Sequence, residues 1–256
     1  MNKIIAFANQ KGGVGKTTTC INLSSYLAKM GLKILIVDLD PQGNATTGLG
    51  ITKSQLKNSV YNVLIDEIPA VDAIIPTIVE NLDILPSDID LAGAEVELVY
   101  SKEREKVLKK AITSLKKYDY IFIDCPPSLG LLTINALTAS NGTIIPIQSE
   151  YYALEGLSQL MNNIKLVKRH LNPTLQIEGV LLTMNDNRAT MSKQIAQEIR
   201  KFFGKKLYDT VIPRNVKLAE APSFGVPIMM HDTRSTGAKA YKSLAEEFYQ
   251  KENGEE

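Results

Sequence analysis

The sequence has few cysteines and no hydrophobic run long enough to cross a membrane. Cys20 and Cys125 are far apart and form no C-x-x-C pair, which argues against structural zinc and redox chemistry and predicts two buried thiols. No apolar run approaches the ~20 residues that span a bilayer. The amino terminus becomes polar and glycine-rich after Ala8 and lacks a signal-peptide cleavage site. We therefore predict a cytoplasmic protein.

Net charge is also nearly absent, at +1 for 29 basic and 28 acidic residues, so the chain as a whole is not a polycation. The charges are unevenly distributed. Between Asn185 and Ala245 the sequence has eleven Lys or Arg against five Asp or Glu. The length of 256 residues suits one large α/β unit. No linker or repeat divides it, and we expect a single domain over residues 1–256.

Short apolar runs alternate with longer segments of helical periodicity. Continuous, β-branched runs of this kind are typical of parallel strands that are covered on both faces. The alternation predicts an α/β fold, a doubly wound and mostly parallel sheet with helices on both faces. The predicted strands are Ile4–Ala8, Ile34–Val37, Leu82–Leu85, Tyr120–Ile123, Gly142–Ile147 and Gly179–Thr183. The predicted helices are Thr18–Met30, Ala92–Tyr100, Glu103–Leu115, Leu131–Ala139, Leu154–His170 and Ser192–Phe203.

A glycine-rich loop follows the first predicted strand and leads into the first predicted helix. Glycines allow backbone N–H groups to turn toward an anion, and the helix amino terminus adds its positive dipole end. Lys16 would contact the β- and γ-phosphates of ATP, and Thr17 would bind magnesium. The usual P-loop pattern requires glycine at position 10, where this chain has Gln10, and the chain has an additional lysine at position 11. The predicted ATP-binding loop is Lys11, Gly12, Gly13, Val14, Gly15, Lys16, Thr17 and Thr18.

Carboxylates follow two other predicted strands. Asp38 and Asp40 end the second, and strand periodicity places them on one face. Asp124 ends the hydrophobic run from Tyr120, the setting of a Walker B aspartate. Taken alone, such strand-end acids could simply be solvated. Beside a phosphate loop they suggest groups that hold magnesium and position water.

These segments resemble the ParA/Soj partition ATPases, which carry a deviant Walker A motif. The similarity extends over nearly the whole chain and is greatest to chromosomal Soj proteins. It is carried by the phosphate loop and by the segments Asp38–Thr46, Asp124–Ser128, Ala153–Leu157 and Ile212–Ser223.

The resemblance implies specific roles. Lys11 would reach across an ATP-dependent homodimer to the nucleotide of the partner. Asp40 would position the attacking water, with Asp38 and Asp124 around the magnesium ion, so that Lys11, Lys16, Asp38 and Asp40 form the expected catalytic set. The residues implied to line an adenine pocket are Asn185, Pro213, Arg214 and Asn215.

The resemblance also implies non-specific binding of double-stranded DNA by the ATP-bound dimer. It further implies a ParB-type centromere-binding partner that stimulates a slow ATPase. We expect Tyr151–Gly156 to contribute to docking of that partner, although this segment could equally be an ordinary packed helix. No helix-turn-helix region is expected before the first strand. The candidate DNA contacts are Arg188, Lys193, Arg200, Lys217, Arg234 and Lys242.

Three alternatives share this scaffold. A MinD-like ATPase would bind the membrane through a basic amphipathic carboxy-terminal helix, whereas this chain ends in Glu252, Glu255 and Glu256. An iron–sulfur carrier would need two suitably placed cysteines in each subunit, and Cys20 and Cys125 lie inside the predicted nucleotide fold. An ATP-dependent metabolic enzyme would need a small-molecule site, for which the sequence has no dedicated set of residues.

Overall fold

The computed structural model describes residues 2–150, 153–185 and 190–254. In the second range the side chains are described from residue 156 onward, and in the third range from residue 194 onward. Seven strands form one sheet in the order β3-β4-β2-β5-β1-β6-β7, parallel except for the β3–β4 pair. The strands are β1 (Lys3–Phe7), β2 (Ile34–Asp38), β3 (Ile75–Pro76), β4 (Leu82–Leu85), β5 (Tyr120–Asp124), β6 (Gly142–Gln148) and β7 (Gln176–Thr183).

Helices cover both faces of the sheet. The helices are α1 (Lys16–Lys29), α2 (Asn44–Gly48), α3 (Val60–Ile65), α4 (Leu91–Glu97), α5 (Val107–Ile112), α6 (Leu131–Ala139), α7 (Ala153–His170), α8 (Thr190–Phe203), α9 (Val216–Glu220), α10 (Ile228–His231) and α11 (Thr236–Asn253). Short 3-10 turns, among them Lys53–Gln55 and Leu98–Tyr100, connect some of these elements.

The two faces of the sheet lead to two separate cores, because successive side chains of a strand point to opposite faces. In β1, Ile4 and Ala6 belong to the core beneath α3–α7. Ile5 and Phe7 belong to the core beneath α1 and α11. This alternation confirms the doubly wound, mostly parallel sheet that the apolar runs predicted.

The carboxyl ends of the strands lie together at one edge of the sheet, which we call the carboxyl edge. In the parallel register, Phe7 pairs with Asp124, and Asp38 also pairs with Asp124. The loop after β1 and the ends of β2 and β5 are therefore neighbours. This edge is where a doubly wound sheet binds ligands.

Several elements differ from the sequence prediction. The segment expected to be helical over Glu103–Leu115 forms only α5. Glu103 has a φ of 54°, in the left-handed region, and Lys106 has a φ of −117°, so the helix begins at Val107. The prediction also missed β3 and the helices α2, α3, α9, α10 and α11. In α11, buried Tyr241, Leu244, Ala245 and Phe248 have the i, i+3, i+4, i+7 spacing of an amphipathic helix, so its signal was present in the sequence.

Candidate nucleotide site

The phosphate loop has the backbone conformation that its glycines allow. Gly13 and Gly15 have φ of 71° and 84°, which disfavours any residue with a Cβ at these positions. Gly15 is the N-cap of α1, and α1 begins at Lys16. The loop therefore presents backbone N–H groups beside the positive end of a 14-residue helix, an arrangement that binds phosphate.

Side chains at the ends of β6 and β7 donate hydrogen bonds to backbone carbonyl groups of the phosphate loop. Gln148 Nε2 donates to the carbonyl of Gly13 over 3.0 Å, and Thr183 Oγ1 donates to the carbonyl of Val14 over 2.7 Å. Both contacts fix the direction of the loop's peptide groups. The sequence prediction missed these two residues, although the strand-end reasoning applied to the aspartates would have identified them.

Lys16 is only 6% exposed and lies beneath the loop. Its Nζ donates to the carbonyl of Lys11 over 3.3 Å. Burial lowers the pKa of Lys16, whereas the carboxylates of Asp124 and Asp40 act in the opposite direction. A buried cation beside the helix amino terminus is suited to the terminal phosphates of a nucleotide.

Lys11 forms an ion pair within its own chain. Its Nζ lies 2.5 Å from Glu150 Oε2, and both side chains are partly exposed. The Lys11 backbone N–H donates to Asn9 Oδ1, and Asn9 Nδ2 in turn donates to the carbonyl of Pro146. The backbone of Lys11 is therefore fixed, whereas among the described residues the end of its side chain is held by a surface ion pair.

Asp38 and Asp124 are completely buried, but their surroundings differ. Asp38 Oδ2 accepts from the backbone N–H and the hydroxyl of Thr46, over 2.8 and 2.7 Å. Burial raises the pKa of Asp38 to about 6 in spite of these bonds. Neither carboxylate oxygen of Asp124 has a hydrogen-bond partner of normal geometry among the described residues. Burial and the charge of Asp38 raise the pKa of Asp124 well above its usual range, with the Thr17 hydroxyl and Lys16 opposing this rise.

Asp40 is 7% exposed and begins a tight turn. Its Oδ1 accepts from the backbone N–H of Gln42 over 2.9 Å. Its carbonyl accepts from the backbone N–H of Gly43 and from Ser87 Oγ, both over 2.8 Å. The three aspartates thus lie at one edge with Lys16, as the sequence predicted.

The residues expected around an adenine base lie beyond the end of β7. The Asn185 N–H donates to the carbonyl of Ile212, and Asn185 and Pro213 form an isolated bridge. Both residues line a cavity of about 310 Å³ together with Val211, Thr236, Lys239 and Ala240. Asn215 instead caps α9 by accepting from the Lys217 N–H, and Arg214 is exposed. The structure therefore brings Asn185 and Pro213 together, with Arg214 and Asn215 following them along the chain.

The predicted DNA contacts are spread over several elements. Arg200 and Arg234 are exposed, on α8 and before α11. Lys217 pairs with Glu220 over 2.8 Å, and Lys242 pairs with Glu246 over 3.7 Å. Arg188 and the side chain of Lys193 lie outside the described residues, as do Tyr151, Tyr152 and the side chains of Ala153–Glu155 in the predicted docking segment.

Both cysteines are buried free thiols, as predicted. Burial raises the pKa of each one, so neither is an accessible metal or cluster ligand. Within the described residues, no group of three or more His, Cys, Asp or Glu has metal-binding geometry, and no helix is long and apolar enough to cross a membrane.

Comparison with known proteins gives consistent results. The family model for an AAA domain matches residues 2–177. The sporulation initiation inhibitor protein Soj of Bacillus subtilis is 59% identical over 248 residues, which cover 96% of this chain and 98% of the relative. The chromosome partitioning protein ParA of Caulobacter vibrioides is 49% identical over 253 residues, covering 98% and 95%.

Among solved structures, cobyrinic acid a,c-diamide synthase from Mycobacterium smegmatis, with bound ADP and magnesium, superposes with a TM-score of 0.87. The two sequences are 36% identical, and the superposition covers 100% of this chain and 97% of the synthase chain. That protein is named as a synthase. The Bacillus and Caulobacter relatives have higher identity over nearly the full length, and the second of them is named as a chromosome partitioning protein.

Proposed function

Because the chain belongs to the ParA/Soj family of chromosome-partitioning ATPases, we propose that it binds ATP at the phosphate loop, dimerises, and in that state binds double-stranded DNA without sequence specificity. The observation that carries the proposal is the position of Lys16 and three buried aspartates at one edge of the sheet, beside a helix amino terminus. Hydrolysis would then return the protein to the monomer and release it from DNA.

The residues present fit a magnesium–nucleotide complex. Asp124 has two buried carboxylate oxygens without normal hydrogen bonds among the described residues, which is costly unless a cation or its bound water satisfies them. Thr17 lies beside Asp124, and together with Asp38 these residues would hold the ion. Magnesium would neutralise charge on the phosphate oxygens as the bond to the terminal phosphate breaks.

The contacts support different tasks for Asp38 and Asp40. Asp38 Oδ2 is held by two bonds from Thr46, so it is suited to a fixed role in supporting the metal site. Asp40 lies in the turn beyond the strand end and is slightly exposed, where a water molecule can reach it. We assign Asp40 the positioning of the water that attacks the terminal phosphate, as the similarity to ParA/Soj proteins implies.

The dimer contact would depend on Lys11. In the monomer its Nζ pairs with Glu150. To reach the nucleotide of the partner, Lys11 must leave this pair. ATP binding would favour the exchange because the phosphates carry more negative charge than one carboxylate.

The proposed DNA surface consists of basic residues of the carboxy-terminal third, of which Arg200, Lys217, Arg234 and Lys242 are exposed. Arg188 and Lys193 are assigned to it from the sequence. The local basic excess of each monomer is modest, so doubling it in a dimer would make DNA affinity depend on ATP. Turnover would be slow until a ParB-type partner docks at the dimer and adds a basic group near the nucleotide.

The decisive experiment is a gel shift with DNA of random sequence, comparing ATP, ADP and no nucleotide. We expect a shift with ATP alone that weakens steeply as salt increases. Asp40→Ala should retain the shift and stop hydrolysis, because only water positioning is lost. Charge reversal at Arg188 or Lys217 should remove the shift but preserve the ATP-dependent dimer. A shift of equal strength without nucleotide would refute the proposed cycle, as would turnover stimulated by a metabolite and not by DNA.

A further inference from the structure

Two side chains distant in sequence hold the turn that carries Asp40. Ser87, just after β4, is completely buried, and its Oγ donates to the carbonyl of Asp40 over 2.8 Å. Lys53, in the 3-10 turn Lys53–Gln55, donates from Nζ to the carbonyl of Gln42 over 2.5 Å. We call these two contacts the carbonyl clamp.

The clamp also connects Asp40 with Asp38. The backbone N–H of Ser87 donates to Thr46 Oγ1 over 2.9 Å, and the same hydroxyl donates to Asp38 Oδ2. Thr46 and Ser87 are both 0% exposed, so these bonds are not exchanged with water. One residue at the end of β4 thereby fixes the backbone of Asp40 and the hydroxyl that holds Asp38.

Gly43 shows how closely the clamp surrounds the turn. Its φ is 57°, and a Cβ at this position would lie 2.8 Å from the carbonyl oxygen of Ser87 and 3.1 Å from Lys53 Nζ. The chain therefore passes between Ser87 and Lys53 with no room for a side chain. A turn held on both sides by buried or charge-assisted donors has little freedom to shift.

We infer that Lys53 and Ser87 are positioning residues for ATP hydrolysis, which act by holding the Asp40 turn in the conformation that places its carboxylate for the attacking water. This inference rests on the proposed function. Catalytic geometry is sensitive to small displacements, since a shift of about 1 Å can cost roughly 100-fold in rate. Neither residue is expected to contact the nucleotide, so the effect should be on kcat and not on ATP affinity.

The test compares Lys53→Met, Lys53→Arg and Ser87→Ala with wild type, and uses Lys57→Met as a matched control four residues along the chain, where the lysine is exposed. We expect Lys53→Met to lower kcat roughly 5- to 10-fold, and Ser87→Ala by more, with the Kd for ATP changed less than about 2-fold. Lys53→Arg should restore most of the rate because it retains a charged donor. Lys57→Met should behave as wild type.

Hydrogen exchange on the nucleotide-free protein provides a readout that is independent of catalysis. The N–H groups of Gln42 and Gly43 bond to the side chain and the carbonyl of Asp40. Both should exchange faster in Lys53→Met and Ser87→Ala, and at the wild-type rate in Lys57→Met. Unchanged exchange, or faster exchange with an unchanged kcat, would overturn the inference. An inactive wild type that still shows the exchange differences would instead count against the proposed function.

Discussion

The two edges of the sheet differ in whether their buried carboxylates are paired with cations. At the carboxyl edge, Asp38 and Asp124 are buried near the buried cation Lys16, and both have raised pKa values. At the opposite, amino edge, Lys3 Nζ lies 2.8 Å from Glu178 and 2.5 Å from Glu252. These carboxylates raise the pKa of Lys3 in spite of its burial. Tyr118 and Lys117 similarly donate to Asp83.

The difference shows which edge stabilises the fold and which one binds ligand. The amino edge satisfies its charges within the chain and joins β1, β7 and α11. The carboxyl edge leaves buried carboxylates that an incoming cation can satisfy. Burying them costs free energy in the empty site, and part of the binding energy of a magnesium nucleotide would come from removing that cost. Four substitutions test the contrast, from the largest expected effect to the smallest.

Lys16→Ala removes the buried cation of the carboxyl edge. Loss of a buried charged partner costs about 2–5 kcal/mol in binding, so ATP affinity should fall roughly 30-fold to several thousand-fold. Titration with a fluorescent ATP analogue measures this loss. Lys29→Ala, in the last turn of the same helix and exposed, is the control. Affinity within a factor of about two of wild type would show that Lys16 is not the main phosphate contact.

Asp124→Asn removes a buried charge while retaining the side-chain shape. The folded pKa of Asp124 lies above the unfolded value, so wild-type stability falls as pH rises above about 4. At pH 8 the variant should therefore be more stable without nucleotide, by about 1–3 kcal/mol, and the gain should disappear as pH falls toward 4. Urea unfolding measures both effects.

A matched control for Asp124→Asn lies at the other end of the same strand. Asp119 precedes β5, is exposed, and accepts from the Lys33 N–H over 2.7 Å. Asp119→Asn should give no gain in stability. Stabilisation by magnesium and ATP should be lost only in Asp124→Asn. A less stable Asp124→Asn at pH 8 would contradict the view that this edge carries an unsatisfied charge.

Lys3→Met removes the cation that lies between Glu178 and Glu252 at the amino edge and leaves these two carboxylates facing each other. We expect a loss of about 1–2 kcal/mol at pH 7, limited because the three side chains are partly exposed. Burial and the neighbouring Glu178 raise the pKa of Glu252, so protonation should reduce the loss at mildly acidic pH. Thermal unfolding at several pH values measures this effect, with the exposed pair partner Lys117→Met as a control of small effect.

Glu150→Gln should have the smallest effect, because an exposed ion pair contributes about 0.2–1 kcal/mol. Releasing Lys11 from its own chain should strengthen the ATP-dependent dimer up to about 5-fold in sedimentation experiments. Lys11→Ala should lose the dimer while retaining some nucleotide binding. If Glu150→Gln weakens the dimer, Glu150 serves the interface itself and does not restrain Lys11.

The sequence was sufficient to predict the six parallel strands and the groups at their carboxyl ends, because both follow from local patterns, whereas the two-residue antiparallel β3 was missed. Buried parallel strands are continuous apolar runs, and the residue after each run lies at one edge of the sheet. Lys16, Asp38, Asp40 and Asp124 were found in this way. Their assignment to ATP chemistry depended on the glycines of the phosphate loop.

Contacts between distant parts of the chain could not be predicted. Ser87 is 47 residues from Asp40, and nothing in the intervening sequence indicates that its hydroxyl bonds to that carbonyl. The pair of Lys11 with Glu150 likewise became visible only in three dimensions. The pair of Lys217 with Glu220 is local and lies on one helical turn, so an i, i+3 search would have suggested it.

The packing of α11 against α1 has a consequence for folding during synthesis, because the two helices are far apart in the sequence. In the core beneath α1, the Tyr241 hydroxyl bonds to Thr19 Oγ1 over 3.1 Å, and Phe248 packs against Phe122 of β5. Thr19 lies in the helix that starts at the phosphate loop, and its supporting partner Tyr241 is translated 222 residues later. A nascent chain that has not yet reached α11 therefore lacks these contacts beneath α1 and β5. We expect the helix behind the phosphate loop to reach its final packing only after the chain has been synthesised through α11.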